Sequence, residues 1–296
     1  MRVFVVGAGG FIGRSVTGRL KDAGMQVRSW IHSRQGDLRP GCVPEDAEAV
    51  VNCAGMLGGE NVGLRELEKA NTELPGILAD ICSQRRVHLV HLSTPGVVGL
   101  RPEASEDMPL APWGDYERTK AAGEELLRAV MPAQKLSLLR PDFVYGPGDL
   151  HKLPLFLQVS RGWFPLVGRG GASVRPTFVS DVARAVVMAL PGEKLSGGLF
   201  NIGGPDVVGV RQLVECIAQK LGIKVIKLPV PRSLLRICLH AGPLRPASLS
   251  GSRIRLFGEN HYVSTEKACD AGFTALTGIE EGIAKTVEWY RDRGYL

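Results

Sequence analysis

Two side chains that could move a proton, those of Tyr116 and Lys120, stand four positions apart in a stretch that is predicted to be a helix over 116–131. This spacing places both side chains on one face of a helix, one turn apart. A free phenol has a pKa of about 10, and a nearby ammonium group lowers that pKa because it stabilises the phenolate. We therefore expect Lys120 to lower the pKa of Tyr116, which could then exchange a proton with a substrate hydroxyl or carbonyl group.

A pair of hydroxyl side chains comes before this helix. Residues 87–92 are predicted to form a strand, and Ser93 and Thr94 follow it directly. Ligands of α/β sheets gather at the carboxyl ends of strands, so this position favours a role in a site. The alternative is that Ser93 and Thr94 only end the strand in a turn.

A glycine-rich turn stands near the start of the chain, with the sequence Gly7-Ala8-Gly9-Gly10-Phe11-Ile12-Gly13. It follows a predicted strand and opens a predicted helix, the setting in which such a turn binds a dinucleotide. Gly7 and Gly10 would let the backbone approach a pyrophosphate, and Gly13 would let the helix pack close to the sheet. The start of the helix would supply amide donors and the positive end of its dipole.

The elements that must position these residues alternate along the first half of the chain. Five strands separated by helical segments are predicted, at 3–6, 27–31, 49–54, 87–92 and 135–139. This alternation predicts an α/β fold, a Rossmann-type doubly wound parallel sheet with a smaller C-terminal substrate-binding lobe. We expect the NAD(P)-binding Rossmann core over 1–145, and the substrate-binding lobe, interleaved with late core elements, over 146–296.

Taken together, the motifs resemble those of the extended short-chain dehydrogenase/reductase group, the NAD-dependent epimerase/dehydratase family. The glycines have that family's G-x-x-G-x-x-G spacing, and Tyr116 and Lys120 have its Y-x-x-x-K spacing. The resemblance extends over nearly the whole chain, through Asn52-Cys53-Ala54-Gly55, Asn71, Ser93-Thr94 and Arg140-Pro141-Asp142-Phe143-Val144-Tyr145-Gly146-Pro147-Gly148.

This resemblance implies an NAD(P)-dependent enzyme and gives roles to single residues. Thr94 would hydrogen-bond the reacting oxygen, with Ser93 as second choice, and Lys120 would also hydrogen-bond the nicotinamide ribose. The catalytic residues would thus be Thr94, Tyr116 and Lys120. The other expected cofactor-binding residues are Gly7, Gly10, Phe11, Ile12, Gly13, His32, Ser33, Arg34, Asp37, Ala54, Gly55, Asn71, Pro141 and Val144.

The residues after the second strand favour NADP over NAD. An NAD-selective site would have an acidic residue there for the ribose, but the sequence reads Trp30-Ile31-His32-Ser33-Arg34. Arg34, helped by His32 and Ser33, could bind a 2′-phosphate, although an exposed arginine with no such role is an equal alternative. Only residues 33–48 separate this strand from the next, fewer than is usual in the family. Asp37 corresponds to a residue beside the adenine.

The motifs fit several reactions. Hydride transfer at a carbon that carries a hydroxyl or keto oxygen could give epimerisation through a transient ketone, or simple oxidation or reduction. A dehydratase is disfavoured because Pro95 follows Thr94 where dehydratases of this family carry an acidic pair. A non-catalytic NADPH-binding subunit or redox sensor is a separate alternative, and the presence of Thr94, Tyr116 and Lys120 together argues against it.

The charge pattern leaves the substrate open. The chain has a net charge of +6, and residues 211–257 contain nine Lys or Arg residues against one acid, Glu215. This segment could bind the pyrophosphate of a nucleotide sugar. Alternatively, 231–240 could rest on an anionic membrane, which favours a lipophilic alcohol as in 3-beta-hydroxysteroid dehydrogenases. It could also be only a solvated basic face.

Composition limits the remaining classes. The chain is 44% hydrophobic and 22% charged, which is typical of a soluble globular protein, and we expect it in the cytoplasm. Its six cysteines are scattered and predict free thiols, and no spacing of His, Cys or carboxylates predicts a metal site. Nucleic-acid binding would explain the positive charge but not the glycine turn. The oligomeric state is open, a homodimer included.

Overall fold

The computed structural model describes residues 1–59, 62–168, 170–231 and 258–296. Its centre is a six-stranded parallel sheet. The strands are β1 (Arg2–Val6), β2 (Gln26–Trp30), β3 (Ala49–Asn52), β4 (His88–Leu92), β5 (Leu136–Pro141) and β10 (Leu199–Ile202). They lie in the order β10-β5-β4-β3-β1-β2. The predicted Rossmann-type α/β sheet is confirmed.

Helices cover both faces of this sheet. They are α1 (Phe11–Asp22), α2 (His32–Gln35), α3 (Leu64–Glu68), α4 (Leu74–Arg85), α5 (Asp115–Val130) and, later in the chain, α7 (Val179–Met188). Alternate residues of β1 point to opposite faces. Val3 and Val5 pack in a core with residues of α1 and α7, whereas Phe4 and Val6 pack in a core with residues of α4 and α5. Burial on both faces explains why the inner strands β1 and β3 are largely apolar, whereas β2 at the edge is partly exposed and contains Gln26, Arg28 and Ser29.

The helical segment between β3 and β4 is divided in two. A π-helical turn, Lys69–Glu73, joins α3 to α4. Pro75 lies in the first turn of α4 and has no amide hydrogen to give to the preceding turn, so the regular bonding pattern cannot continue through it. The wide turn contains the fully buried Asn71, which it directs towards the centre of the molecule.

The link between β2 and β3 is short. Residues 33–48 contain α2 and a 3-10 turn, Pro40–Cys42, with no strand between them, so β2 forms one edge of the sheet.

A second lobe follows β5. It contains β6 (Val144–Tyr145), α6 (Leu153–Ser160), β7 (Trp163–Val167), β8 (Ser173–Val174), β9 (Thr177–Phe178), β11 (Val208–Gly209), α8 (Val210–Leu221), β12 (Ile226–Val230) and the helices Glu266–Asp270 and Ile279–Asp292. Its own core includes Phe156, Leu213 and Tyr290. The helix α7 and the strand β10 return to the first core between these elements, so the two lobes interleave.

Residues 232–257, which include most of the segment 231–240, lie outside the described residues. Among the described helices, none has the length and apolar character needed to cross a membrane.

Candidate active site

The carboxyl end of β4 and the start of α5 bring two hydroxyl groups together. Thr94 follows β4, and Tyr116 lies in the first turn of α5. The Thr94 hydroxyl hydrogen-bonds the Tyr116 phenol, and Thr94 Oγ1 also accepts from the amide of Gly96 at 3.3 Å. Thr94 is thereby held by the turn that follows the strand while it faces the phenol.

The phenol of Tyr116 has a raised pKa. Burial raises it most, the neighbouring Glu117 carboxylate raises it further, and the hydrogen bond from Thr94 lowers it in part. The expectation that Lys120 would lower this pKa is wrong for the structure described here, because the pKa is raised and Lys120 is not among the groups that shift it. The Tyr116 phenol is therefore protonated at neutral pH.

Lys120 lies one turn further along α5 and is almost completely buried, with 3% of its surface exposed. Its Nζ donates to the carbonyl oxygen of Leu92 over 2.7 Å and lies 3.4 Å from His91 Nε2. Burial lowers the pKa of Lys120 to about 8, although the nearby Glu124 and Cys53 favour the charged form. Lys120 consequently titrates close to neutral pH.

A buried ion pair fixes α5 against the sheet. Glu124 accepts two hydrogen bonds from Arg140 of β5, from Nε at 2.9 Å and from Nη2 at 2.6 Å. Both side chains are 1% exposed. Tyr116, Lys120 and Glu124 are spaced four apart on one helix face, so the ion pair holds the face of α5 on which the first two lie.

The glycine turn fits a dinucleotide backbone closely. Gly7 has a φ of +80°, and a Cβ there would lie 2.5 Å from the amide nitrogen of Ala54. Gly10 caps α1, whose first turn contains apolar residues, glycine and arginine and thus leaves its dipole open to an anion. Phe11 and Ile12 begin this helix, and the Phe11 ring is within 3.5 Å of where a Cβ on Gly148 would lie. The residues present therefore fit a bound pyrophosphate.

The turn Gly7–Gly13 forms a glycine cradle for this pyrophosphate, and replacing Gly13 by Ala tests it. A Cβ at position 13 would lie 2.1 Å from the carbonyl oxygen of Gly7, so the backbone must move. We expect a loss of about 1–3 kcal/mol of unfolding free energy, as for overpacking, together with weaker NADPH binding. Urea unfolding and a fluorescence titration measure both. The control is Gly18→Ala on the same helix, where a Cβ meets open space and should be neutral or stabilising.

The loop after β3 forms another wall. Ala54 packs against Gly7, and Gly55 lies against Asn71 Oδ1 and Lys120 Nζ. The Asn71 amide bonds the backbone of Met56 in both directions, at 2.9 Å each. It also donates to Thr119 Oγ1. Asn71 was expected to bind cofactor, but its hydrogen-bonding groups hold this loop, so it positions Ala54 and Gly55.

The expected adenosine-side residues lie after β2. His32, Ser33 and Arg34 are exposed on α2. Asp37 is paired with Lys69 at 2.8 Å and lies 3.5 Å from His32, and the hydrogen bond from Lys69 lowers the pKa of Asp37. On the opposite side, Pro141 ends β5 and the partly exposed Val144 begins β6. Within the ranges described above, no three His, Cys, Asp or Glu side chains are grouped to hold a metal ion.

Comparison with known families shows the family to which this chain belongs. The sequence model of the NAD dependent epimerase/dehydratase family matches residues 3–203, from β1 to just beyond β10. The chain belongs to the NAD-dependent epimerase/dehydratase family. Members of this family are NAD-dependent enzymes of the short-chain dehydrogenase/reductase type, and the resemblance found in the sequence is confirmed.

Individual family members resemble the chain over most of its length. A 2-alkyl-3-oxoalkanoate reductase from Stenotrophomonas maltophilia is 26% identical over 96% of this chain and 98% of its own. A 4-hydroxy-2-methyl-3-oxo-4-farnesyl-3,4-dihydroquinoline-1-oxide ketoreductase from Stigmatella aurantiaca is 26% identical over 82% and 80%. The solved UDP-glucose 4-epimerase of Thermus thermophilus in complex with NAD has a TM-score of 0.73 at 24% identity, covering 98% of this chain and 99% of its own. It is similar in fold.

The sequence analysis gave no role to three polar residues of this epimerase/dehydratase-family site. Asn52 and His91 are buried at the ends of β3 and β4 beside Lys120, and Glu124 anchors α5. The spacing of Glu124 from Lys120 could have revealed it, because it repeats the Tyr116–Lys120 interval. His91 carried a weaker signal, a polar residue between the apolar Val90 and Leu92 of β4.

Proposed function

We propose that the chain is an NADP-dependent ketoreductase that acts on a lipophilic substrate. The observation that carries this proposal is the contact between the Thr94 hydroxyl and the protonated Tyr116 phenol, with Lys120 buried one turn further along α5. These three are the proposed catalytic residues. They lie at the carboxyl edge of the sheet, the edge at which the glycine cradle opens.

Reduction suits the protonation state of the site. A bound nicotinamide supplies the hydride to the carbonyl carbon. Thr94 can donate a hydrogen bond to the carbonyl oxygen, and Tyr116 can protonate that oxygen as negative charge develops on it. The raised pKa of Tyr116 favours its acid form, which is needed for reduction rather than oxidation.

The surface beside Tyr116 supports a lipophilic substrate. Gly58 packs against Tyr116, and the preceding Met56 and Leu57 expose 36% and 44% of their surfaces. Apolar side chains that remain exposed next to proton-donating groups are suited to contact a hydrocarbon chain. The 2-alkyl-3-oxoalkanoate reductase and the farnesyl-quinoline ketoreductase, which resemble most of this chain, are named for substrates with such chains.

A nucleotide-sugar epimerase is the second candidate. Arg175 precedes β9 in the second lobe, and its buried Nε has no hydrogen-bond partner among the described residues. An arginine with a spare donor is suited to bind phosphate oxygens. Solved relatives such as the UDP-glucuronic acid 4-epimerase from Bacillus cereus contain a UDP-sugar and NAD, but at 19% identity they support the fold alone.

A substrate comparison separates the two candidates. Purified protein is supplied with NADPH and either a long-chain 2-alkyl-3-oxoacid or UDP-glucose, and absorbance of NADPH is followed. We expect oxidation of NADPH with the oxoacid only. Protein that retains oxidised cofactor, ignores the oxoacid and interconverts UDP-sugars would establish the epimerase and contradict the ketoreductase.

The NADP preference depends on Arg34. We expect Arg34→Ala to weaken NADPH binding about tenfold to a hundredfold, because a charge-assisted hydrogen bond contributes about 1.5–3 kcal/mol. Binding of NADH, which has no 2′-phosphate, should not change. Arg19→Ala is the control, since Arg19 is exposed in the last turn of α1 and its replacement removes the same charge. Equal loss for NADH and NADPH would contradict the assignment.

The remaining expectations stay predictions. They are the cytoplasmic location, the homodimer, and contact with a membrane through 231–240, of which only Pro231 lies among the described residues. A lipophilic substrate would agree with membrane contact, since such a substrate partitions into the bilayer.

A further inference from the structure

Three buried side chains behind Tyr116 form a line of hydrogen bonds. Asn52 in β3 and His91 in β4 are direct neighbours in the sheet, and Lys120 reaches them from α5. Asn52 Nδ2 lies 3.0 Å from His91 Nδ1, and His91 Nε2 lies 3.4 Å from Lys120 Nζ. Exposure of these side chains is between 0% and 3%.

The backbone fixes the orientation of the Asn52 amide. The amide of Ala54 donates to Asn52 Oδ1 over 3.0 Å, so Nδ2 is the atom that faces His91. An amide nitrogen only donates, and His91 Nδ1 must therefore accept. Burial and the charge of Lys120 hold the pKa of His91 well below its usual value. A neutral ring carries one N–H, which here must be on Nε2, facing Lys120.

We propose that Asn52 and His91 are positioning residues for Lys120, which present a fixed N–H donor to its Nζ and thereby favour its amine form. An ammonium group offers only hydrogens to this donor, whereas an amine offers a lone pair that can accept it. One amine hydrogen is given to the Leu92 carbonyl at 2.7 Å. The second is left for another acceptor in the site.

The consequence for catalysis rests on the proposed function. Reduction of a ketone takes one hydride from the cofactor and one proton from Tyr116, whose phenolate must then recover a proton. A lysine whose amine form is stabilised gives up its proton more readily when the phenolate has to be neutralised. His91 would thus favour the amine form in which Lys120 is left after each turnover, until Lys120 takes up a proton from solvent.

The other groups around Lys120 act in the opposite direction. Glu124 on α5 and Cys53 after β3 both favour the ammonium form. The negative charge of Glu124 is balanced in turn by Arg140 of β5. Tyr116, on the same helix face, is neutral. Burial and His91 on β4 are therefore the two influences that favour the amine.

NMR spectroscopy tests the proposal because it reports the protonation states of His91, His88 and Lys120. Long-range ¹H–¹⁵N spectra distinguish the two neutral forms and the cation of each histidine, and [ε-¹³C]lysine reports the titration of Lys120, assigned by its absence from Lys120→Met. We expect His91 to be neutral with its hydrogen on Nε2 at pH 7. His88 in the same strand is the internal reference, since its Nε2 lies 3.1 Å from the carbonyl oxygen of Ala189 and must donate.

Asn52→Asp should move the hydrogen of the His91 ring from Nε2 to Nδ1. A carboxylate can still accept from Ala54 but can only accept from His91, which moves the hydrogen to Nδ1 and turns Nε2 towards Lys120 as an acceptor. The proton then stays on the more basic lysine. We expect the titration midpoint of Lys120 to rise by about one pH unit or more, with His88 unchanged.

His91→Leu supplies a second variant in case Asn52→Asp does not fold. It removes the donor but keeps the site apolar, and it should also raise the Lys120 midpoint, whereas His91→Gln, which keeps an N–H donor, should restore it. A hydrogen on His91 Nδ1 or a cationic ring in the unaltered chain overturns the proposal. So does a Lys120 midpoint that stays in place in both Asn52→Asp and His91→Leu. None of these measurements requires substrate or cofactor, so failure of the ketoreductase assay would be a separate result.

Discussion

Replacing Tyr116 by Phe is expected to slow ketone reduction by about 10²–10⁴-fold, the usual contribution of a positioned proton donor. The variant loses only the phenol oxygen, which Thr94 contacts and whose raised pKa keeps it protonated. Binding of NADPH should be unchanged, because the glycine cradle lies on other elements, at β1 and α1. Turnover under saturating NADPH and a fluorescence titration of NADPH measure the two effects separately.

Tyr295→Phe is the matched control. Tyr295 is 40% exposed near the chain end, and its loss of a hydroxyl should leave turnover unchanged. Full turnover by Tyr116→Phe would remove Tyr116 from the mechanism. If the unaltered chain bound NADPH tightly but turned over neither a long-chain ketone nor a nucleotide sugar, a cofactor-binding subunit would become the better interpretation.

Much of the fold could be predicted because it depends on local patterns. Apolar strands that alternate with helices indicate a parallel sheet, and the glycine spacing indicates the turn before α1. The structure supplies the steric reason for the glycines, since a Cβ on Gly7 would strike the backbone of Ala54 and a Cβ on Gly13 would strike the carbonyl oxygen of Gly7. Close approaches of this kind leave a clear signal because only glycine satisfies them.

Properties that depend on several elements could not be predicted in the same way. The spacing of Tyr116 and Lys120 correctly places them on one helix face, but the pKa of the phenol depends on burial by neighbouring loops. Asn71 was assigned to the cofactor, yet the π-helical turn directs its amide to Met56 and Thr119. His91 acquires its importance only where β3, β4 and α5 meet. Sequence spacing carries no information about such contacts across elements.

Glu124→Ala is expected to lower the free energy of unfolding by about 3–5 kcal/mol, because it leaves the Arg140 guanidinium charged and unpaired in the interior. Arg140 is 1% exposed, and its Nη1 already has no hydrogen-bond partner among the described residues. Loss of the carboxylate would remove both bonds that Arg140 makes to α5. Urea unfolding, followed by circular dichroism, measures the change.

Glu125→Ala is the control for this second large effect. Glu125 is the next residue on the same helix but is exposed, so its removal should change stability by less than about 0.5 kcal/mol. Replacing both partners, as Glu124→Leu with Arg140→Met, should recover most of the loss, because no buried charge is then left without a partner. The recovered protein should still reduce ketone more slowly if the ion pair also sets the projection of Tyr116 and Lys120. Full stability together with full activity in the double variant would show that packing of α5 alone positions the catalytic face.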